Sequence, residues 1–394
     1  MEKRAPETLA LSHLSALFRE KKHGELYEEL KKNISSLHSH VSQNGEKETL
    51  SDLYCCLGIL HFDLMNFSDA EKQFLCAIQR DPDNLAARLL LCSAFVEQGR
   101  FDAAKMESAP LRASSYYPVL LHSVLSRIYQ NESRLSRALY HWKKVVHETG
   151  TTKRNLSRLH FLESEVHIQQ NFSSYSTAHY EVSYEPVFEK NRERILSPLL
   201  SMVDQARWSL NRRFKASPRD TTKIVIYREE SFHSLLGNND PNTEAFFSFD
   251  DGKLRIALRG EETTDISNLR PVIFHEYVHR IVFYLTRGRM RRRWLHEGLA
   301  CYYERSETGV DRFSQETLPS EPANLDDLLE EKIDLQGYVQ ARNIVEILIN
   351  RFGEKRMIGF LRDIGEGKSF ENAMQTAWGV SYEELKVMAE RKFR

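Results

Sequence analysis

Between residues 51 and 152 the chain repeats itself every 34 positions, and this period limits the fold of that stretch more tightly than anything else in the sequence. Leu57, Leu91 and Leu125 fall in register, as do His61, Phe95 and Tyr129; Phe67, Phe101 and Leu135; and Ala70, Ala104 and Ala138. A unit of this length is two antiparallel helices, whose apolar faces cannot be buried by one unit alone. Units 51–84, 85–118 and 119–152 must therefore stack so that each covers its neighbour. Helical segments around 7–20 and 24–40 are expected to form an amino-terminal cap or a degenerate repeat, and a helix over 153–172 to close the other end. This reading makes 1–152 a helical repeat domain and 153–175 a capping helix and linker.

The first unit, with Tyr54, Leu57, Gly58, Ala70, Phe74, Ala77 and Pro82, closely resembles the tetratricopeptide pattern. The second departs from it at Ser108 and Pro110, and the third returns to it at Trp142 and Val145. The resemblance implies an all-α tetratricopeptide solenoid with a groove for a peptide or protein partner. A rigid spacer that positions the following domain is the other reading.

After the polar stretch 171–177 the pattern changes. Tyr180, Val182 and Tyr184 alternate as a half-buried strand, and Lys223 to Arg228 form the apolar run of a central one. Between them, Ser197-Pro198 starts or kinks a long helix reaching Phe214. Residues 244–249 and 253–259, joined by Asp250-Asp251-Gly252, read as a hairpin. Along its second arm Leu254, Ile256 and Leu258 face one way, and Lys253, Arg255 and Arg259 the other. Residues 176–394 are therefore expected to form an α+β domain with a small mixed sheet.

The chemistry is concentrated just beyond that sheet, in His275-Glu276-Tyr277-Val278-His279. On a helix, residues i and i+4 lie about 40° apart, so both imidazoles can reach one metal ion, while Glu276 stands about 100° from His275, where a base would stand. Phe274, Tyr277, Val278, Ile281, Val282 and Leu285 keep helical spacing, which predicts one buried stripe with the histidines at its edge. The bland alternative is a core helix with two solvated histidines. A second helical stretch, Trp294 to Tyr303, adds a carboxylate at Glu297. Its neighbour Gly298 costs a helix roughly 1 kcal/mol, which predicts a close approach to the metal or to the first helix.

These two runs, HEYVH followed by WLHEGLA, resemble the gluzincin clan of zinc metallopeptidases and in particular the peptidase MA-like family, with a similar second segment in the aminopeptidase N family. The resemblance spans residues 176–394. It implies a thermolysin-like domain holding one Zn2+ per chain through His275, His279 and Glu297, with Glu276 as general base in peptide hydrolysis. Tyr338 resembles a tyrosine at the equivalent place in the family, which implies a donor to the carbonyl oxygen. A core anchor is its other reading, and His296, Tyr302 and Tyr303 are rivals for the role. Gluzincins are similar in presenting an edge strand beside the metal, and 253–259 is the expected edge; an interior strand is the alternative.

Arg287, Arg289, Arg291, Arg292 and Arg293 crowd the connection between the two helices, either as a solvated basic loop or as an anion site. Overall charge is −1, which offers nucleic acid no electrostatic attraction, and no stacking module is present. No apolar run is long enough to span a bilayer. Residues 1–20 make a poor signal peptide, and the five cysteines lack paired spacing, so a reducing, cytoplasmic setting is expected, with an exported or trimmed form left open. Cys301, one turn past Glu297, is a conceivable ligand, although three ligands and a water already complete a catalytic zinc. Two functions follow. One is a zinc peptidase whose repeats recruit or orient protein substrates, and the other is an interaction scaffold with an inactive or structural zinc domain.

Overall fold

The computed structural model describes residues 23–38, 44–114, 119–218, 220–237, 243–259, 266–290, 292–312 and 335–393. The helix expected around 7–20 and Arg291 lie outside them. The chain divides into two compact units, Met1–Val124 and Leu125–Arg394.

In the first unit, α1 (His23–His38) precedes two helical hairpins, α2 (Asn44–Asp63) with α3 (Phe67–Arg80) and α4 (Leu85–Glu97) with α5 (Phe101–Ala113). Ala70, Phe74, Ala77 and Ala104 are fully buried, and a Cβ on Gly58 would come within 2.4 Å of the Phe74 ring. Small residues at these repeat positions therefore set how closely paired helices approach.

The second unit opens on a third hairpin, α6 (Val119–Asn131, divided by the unit boundary) and α7 (Leu135–Thr149). The period is visible in the backbone as well as the side chains. Met65, Gly99 and Ser133, each 34 residues apart, take positive φ of 59°, 71° and 59° at the turns. Each turn closes in the same way, with the N–H of Asn66, Arg100 and Arg134 donating to the carbonyls of His61, Phe95 and Tyr129 at 2.7, 2.8 and 2.8 Å. This is the six-residue helix stop that glycine favours, so Met65 and Ser133 accept a cost of about 1 kcal/mol to keep it.

Helix α8 (Lys153–Ile168) leads into a five-stranded sheet of order β1-β2-β3-β5-β4. Its strands are β1 (Ser173–Ser176), β2 (Tyr180–Tyr184), β3 (Thr222–Arg228), β4 (Ala245–Phe247) and β5 (Lys253–Leu258). The three central strands β2, β3 and β5 run parallel, and both outer pairs are antiparallel. One face, with Ile224, Ile226, Leu254, Ile256 and Leu258, packs into the main core with α9 (Arg192–Phe214) and α11 (Leu269–Thr286). The opposite face, with Val225, Tyr227 and Ala257, is covered by Phe161 and Ile168 of α8 and by Phe232 and Leu235 of α10 (Glu229–Leu236).

Two expectations change here. Strand β5 is interior, flanked by β3 and β4, and the edge is the short β4. Its polar face is also covered. Arg255 is fully buried and donates to Asp251 and to Glu165 of α8, with Nη2 at 2.6 Å from an oxygen of each. A buried guanidinium with two carboxylates is affordable only because every charge is paired and hydrogen-bonded. Helix α8, read from sequence as an array cap and linker, is therefore anchored to the sheet. Among the described residues no helix is long and apolar enough to cross a membrane.

Candidate metal centre

Helix α11 carries both histidines and Glu276. Pro271 sits in its first turn, where a missing N–H is harmless, and Arg287 ends it in the left-handed conformation with Gly288 following. The expected single buried stripe is too narrow a description. Nearly the whole helix is buried, because α9, α12 (Arg293–Thr308), α14 (Glu354–Glu366) and β4 pack around it. His275, Glu276 and His279 are 4%, 9% and 7% exposed, which excludes the solvated-histidine reading.

Helix α12 brings Glu297 opposite them. Its Oε2 lies 3.3 Å from His275 Nε2 and 3.5 Å from His279 Nε2. Two donor atoms on a tetrahedral ion with bonds of about 2.0–2.1 Å are separated by about 3.3–3.4 Å. The spacing therefore fits a small tetrahedral cation between them. Gly298 permits this placement, although its reason differs from the expected one. A Cβ there would lie 2.5 Å from the Ala341 carbonyl oxygen, so it is α13 (Leu335–Phe352), rather than the metal or α11, that needs the space.

The tautomer of His275 follows from its other nitrogen. Nδ1 is 2.9 Å from Glu304 Oε2, and Glu304 in turn accepts from Arg312 at 2.5 and 2.9 Å. A carboxylate held by a guanidinium can only accept, so Nδ1 donates and the Nε2 lone pair faces Glu297. Two acceptors facing each other at 3.3 Å repel unless a proton or cation lies between them. The electrostatics of the site express the same conflict. Burial opposes protonation of His275, yet hydrogen bonding with Cys301, Glu297 and Glu304 outweighs it and holds the pKa well above the ordinary histidine value. Burial also works against Glu297, but the His279 charge and hydrogen bonds from both imidazoles hold it well below the usual carboxylate range.

Glu276 is displaced in the opposite direction, upward, chiefly by burial. Its Oε2 accepts the Phe247 N–H at 2.8 Å. Since Ser248 N and Glu244 O bond inward to β5, alternation turns Phe247 N–H outward at the edge of the sheet. Glu276 is thus tied to the edge strand and is not drawn in beside Glu297. Two neighbouring carboxyl groups with oppositely displaced pKa values have the character of a base and a ligand.

Among the described residues two sets of donors have their ligand atoms within 4.8 Å of one another, His275 with Glu276 and His279, and His275 with Cys301 and Glu304. In the first, the bond to Phe247 N–H holds one oxygen of Glu276 at the edge strand. The second is a poorer cation site, because Glu304 is already neutralised by Arg312 and burial pushes the Cys301 thiol up. Glu304 is better described as the group that orients His275. Sequence reasoning missed it, although its position seven residues after Glu297 puts it on the same helical face.

Among the proposed oxyanion donors, Tyr338 of α13 is half-buried, with Glu297, Arg293 and His275 as its charged neighbours. His296 is committed through Nε2–H to the Met290 carbonyl at 3.0 Å. Tyr303 is fully buried, with its ring centroid 4.5 Å from that of Phe214 and Arg213 over its face; Tyr302 responds to Arg213, Glu354 and Glu346. Of the arginines, Arg289 is buried, Arg292 stacks over Phe370 and Tyr382, and Arg293 Nε lies 3.9 Å from Glu297 Oε1. The described part of this connection is thus no uniformly solvated loop. No known family model matches this chain, and no curated protein does.

Proposed function

We propose that this chain is a zinc-dependent metallopeptidase of gluzincin type, with a thermolysin-like catalytic domain and one Zn2+ held by His275, His279 and Glu297. The observation that supports this most strongly is the placing of Glu297 within 3.3 and 3.5 Å of the Nε2 atoms of His275 and His279, beside a buried carboxyl group of raised pKa. When bound, zinc would acidify a water and polarise the substrate carbonyl.

The remaining work belongs to the protein. Glu276, destabilised as an anion by burial, is suited to taking a proton from the attacking water and passing it to the leaving amine. The Phe247 N–H holds one of its oxygens and leaves the other for that exchange. Glu304, with Arg312 behind it, fixes His275 as an Nε2 donor. Tyr338 would donate its phenolic proton to the carbonyl oxygen as charge develops there. The amino-terminal helical hairpins, tetratricopeptide-like in pattern, would recruit or orient protein substrates in a cytoplasmic setting.

The deciding experiment is metal analysis together with cleavage of a peptide library by the wild type and by Glu276→Gln. About one zinc in both proteins, with hydrolysis by the wild type alone, is the expected result. Zinc in both with cleavage by neither would replace the peptidase by an interaction scaffold with a structural metal.

A further inference from the structure

A second cluster of unusual chemistry lies on the sheet face opposite the metal helices, at the amino-terminal ends of β3 and β5. Strand register sets Ser176, Glu181, Lys223 and Lys253 side by side across four strands, with Ser174 and Ser183 paired one step along. Successive residues alternate in direction, so all six side chains share a face. They line a cavity of about 180 Å3, and the Ser133 hydroxyl of the α6–α7 turn contributes to its wall.

Two ammonium groups as register neighbours repel each other, and like charges directly opposite are destabilising. Their compensation is unequal. Lys223 Nζ donates to the Asn131 carbonyl at 2.9 Å and its side-chain oxygen at 2.8 Å, and Glu181 stands 3.7 Å away. Lys253 is fully buried and has one hydrogen bond of ordinary length, to Ser133 Oγ at 3.0 Å. Its nearest carboxylate, Asp251, is 4.0 Å away and is already bound by Arg255 at 3.1 and 2.6 Å. An ammonium carries three donors, and leaving donors of a buried charge unmade is costly. Burial accordingly lowers the pKa of Lys253 against the opposing charges of Asp251 and Glu165, with Arg255 and Lys223 adding to the lowering. Of the two carboxylates that also line the cavity, Glu132 lies 3.5 Å from Arg134, and Glu181 divides between Lys223 at 3.7 Å and the Thr221 hydroxyl at 3.0 Å.

We propose that this cavity is a binding site for a small oxyanion of the phosphate class, free or as a phosphate ester. Lys253 and Lys223 would supply the charge, and Ser133, Ser174, Ser176 and Ser183 the neutral donors. An oxyanion there would give the Lys253 ammonium a hydrogen-bonded counter-charge closer than Asp251, which stands 4.0 Å away, and would separate two like charges. Exposed Ser174 and Ser176 leave the site an entrance. The site lies apart from the metal chemistry and does not depend on the peptidase assignment.

The test is calorimetric titration of the full-length protein with inorganic phosphate, and separately with phosphoserine, against chloride at matched ionic strength. Saturable binding is expected, weakened at least about ten-fold in Lys253→Met, as loss of a charged hydrogen-bond donor requires. A tighter fit for phosphoserine would identify an ester as the natural ligand, and a tighter fit for inorganic phosphate the free ion. Should Lys253→Met fail to fold, Lys223→Gln and the Ser174→Ala/Ser183→Ala pair decide, each expected to weaken binding several-fold. Absence of phosphate-specific heat in the wild type, or equal affinity in all folded variants, overturns the proposal.

Discussion

As a proposed zinc ligand, His275 would couple proton and metal binding in one residue. In the metal-free protein its raised pKa means that protonation stabilises the fold. That contribution is complete below the unfolded value of about 6.5 and is lost as pH rises through the folded pKa. Zinc needs the deprotonated ring, so the increase in melting temperature on adding zinc should grow as pH is raised from about 5.5 to 8.5. A zinc shift that is flat across this range would remove His275 from the ligand set. The same logic gives Glu304 a measurable role. Glu304→Gln keeps the shape but lets the imidazole choose its tautomer, and zinc affinity should fall by about 10–100-fold in competition with a chelating dye. Tyr338→Phe removes only a hydroxyl. If it donates to the carbonyl oxygen in the transition state, turnover should fall by about 10²–10³ with KM nearly unchanged, and a fully active variant would return Tyr338 to the core.

The proposed metal centre would depend on helix contacts as much as on ligands. Gly298→Ala would place a methyl group 2.5 Å from the Ala341 carbonyl oxygen, a backbone atom that cannot rotate away. Helices α12 and α13 must then separate, costing about 1–3 kcal/mol and moving Glu297, which is the adjoining residue. Reduced zinc occupancy with a lowered melting temperature is the expected pair of results; a stable variant with full zinc would show that the helix contact yields without disturbing the ligand. At this scale the sequence was legible where periodicity carries the information. Strands β2 to β5 and the helical hairpins lie where alternation and the 34-residue repeat put them, whereas β1 occupies the polar stretch that read as a connection, because four residues of serine and tyrosine give no apolar alternation. Alternation also grouped Lys253 and Arg255 correctly on one face, yet it could not say that Ser133 and Glu165 would meet them, since those partners come from a turn and a helix far away in sequence. Nor could it show that the three-residue β4 would take the edge. Glu304 had a visible helical spacing, but its partner Arg312 lies beyond the helix end and has no periodic signal.

For the whole molecule, the question is where an independently folding unit that carries the candidate site begins. The sequence pattern favoured a start after the third hairpin, at 153 or later, whereas the compact division falls at 124/125. Polar contacts explain why the third hairpin belongs with the sheet. Asn131 accepts Lys223 and donates to the Asp251 carbonyl at 2.7 Å, Ser133 accepts Lys253, and Gln130 donates to the buried Glu165 at 3.0 Å. Arg127 adds bonds at 3.1 and 3.2 Å to the carbonyls of Asp250 and Phe249 in the β4–β5 turn. Each orphaned buried partner costs about 1–3 kcal/mol, so losing this group together approaches the 5–15 kcal/mol that holds a typical domain folded. A fragment spanning 125–394 should therefore fold, bind zinc and melt cooperatively, whereas 153–394 should be insoluble or lack a cooperative transition. Equal melting temperatures for the two fragments would mean that the hairpin's polar contacts add nothing to the stability of the sheet.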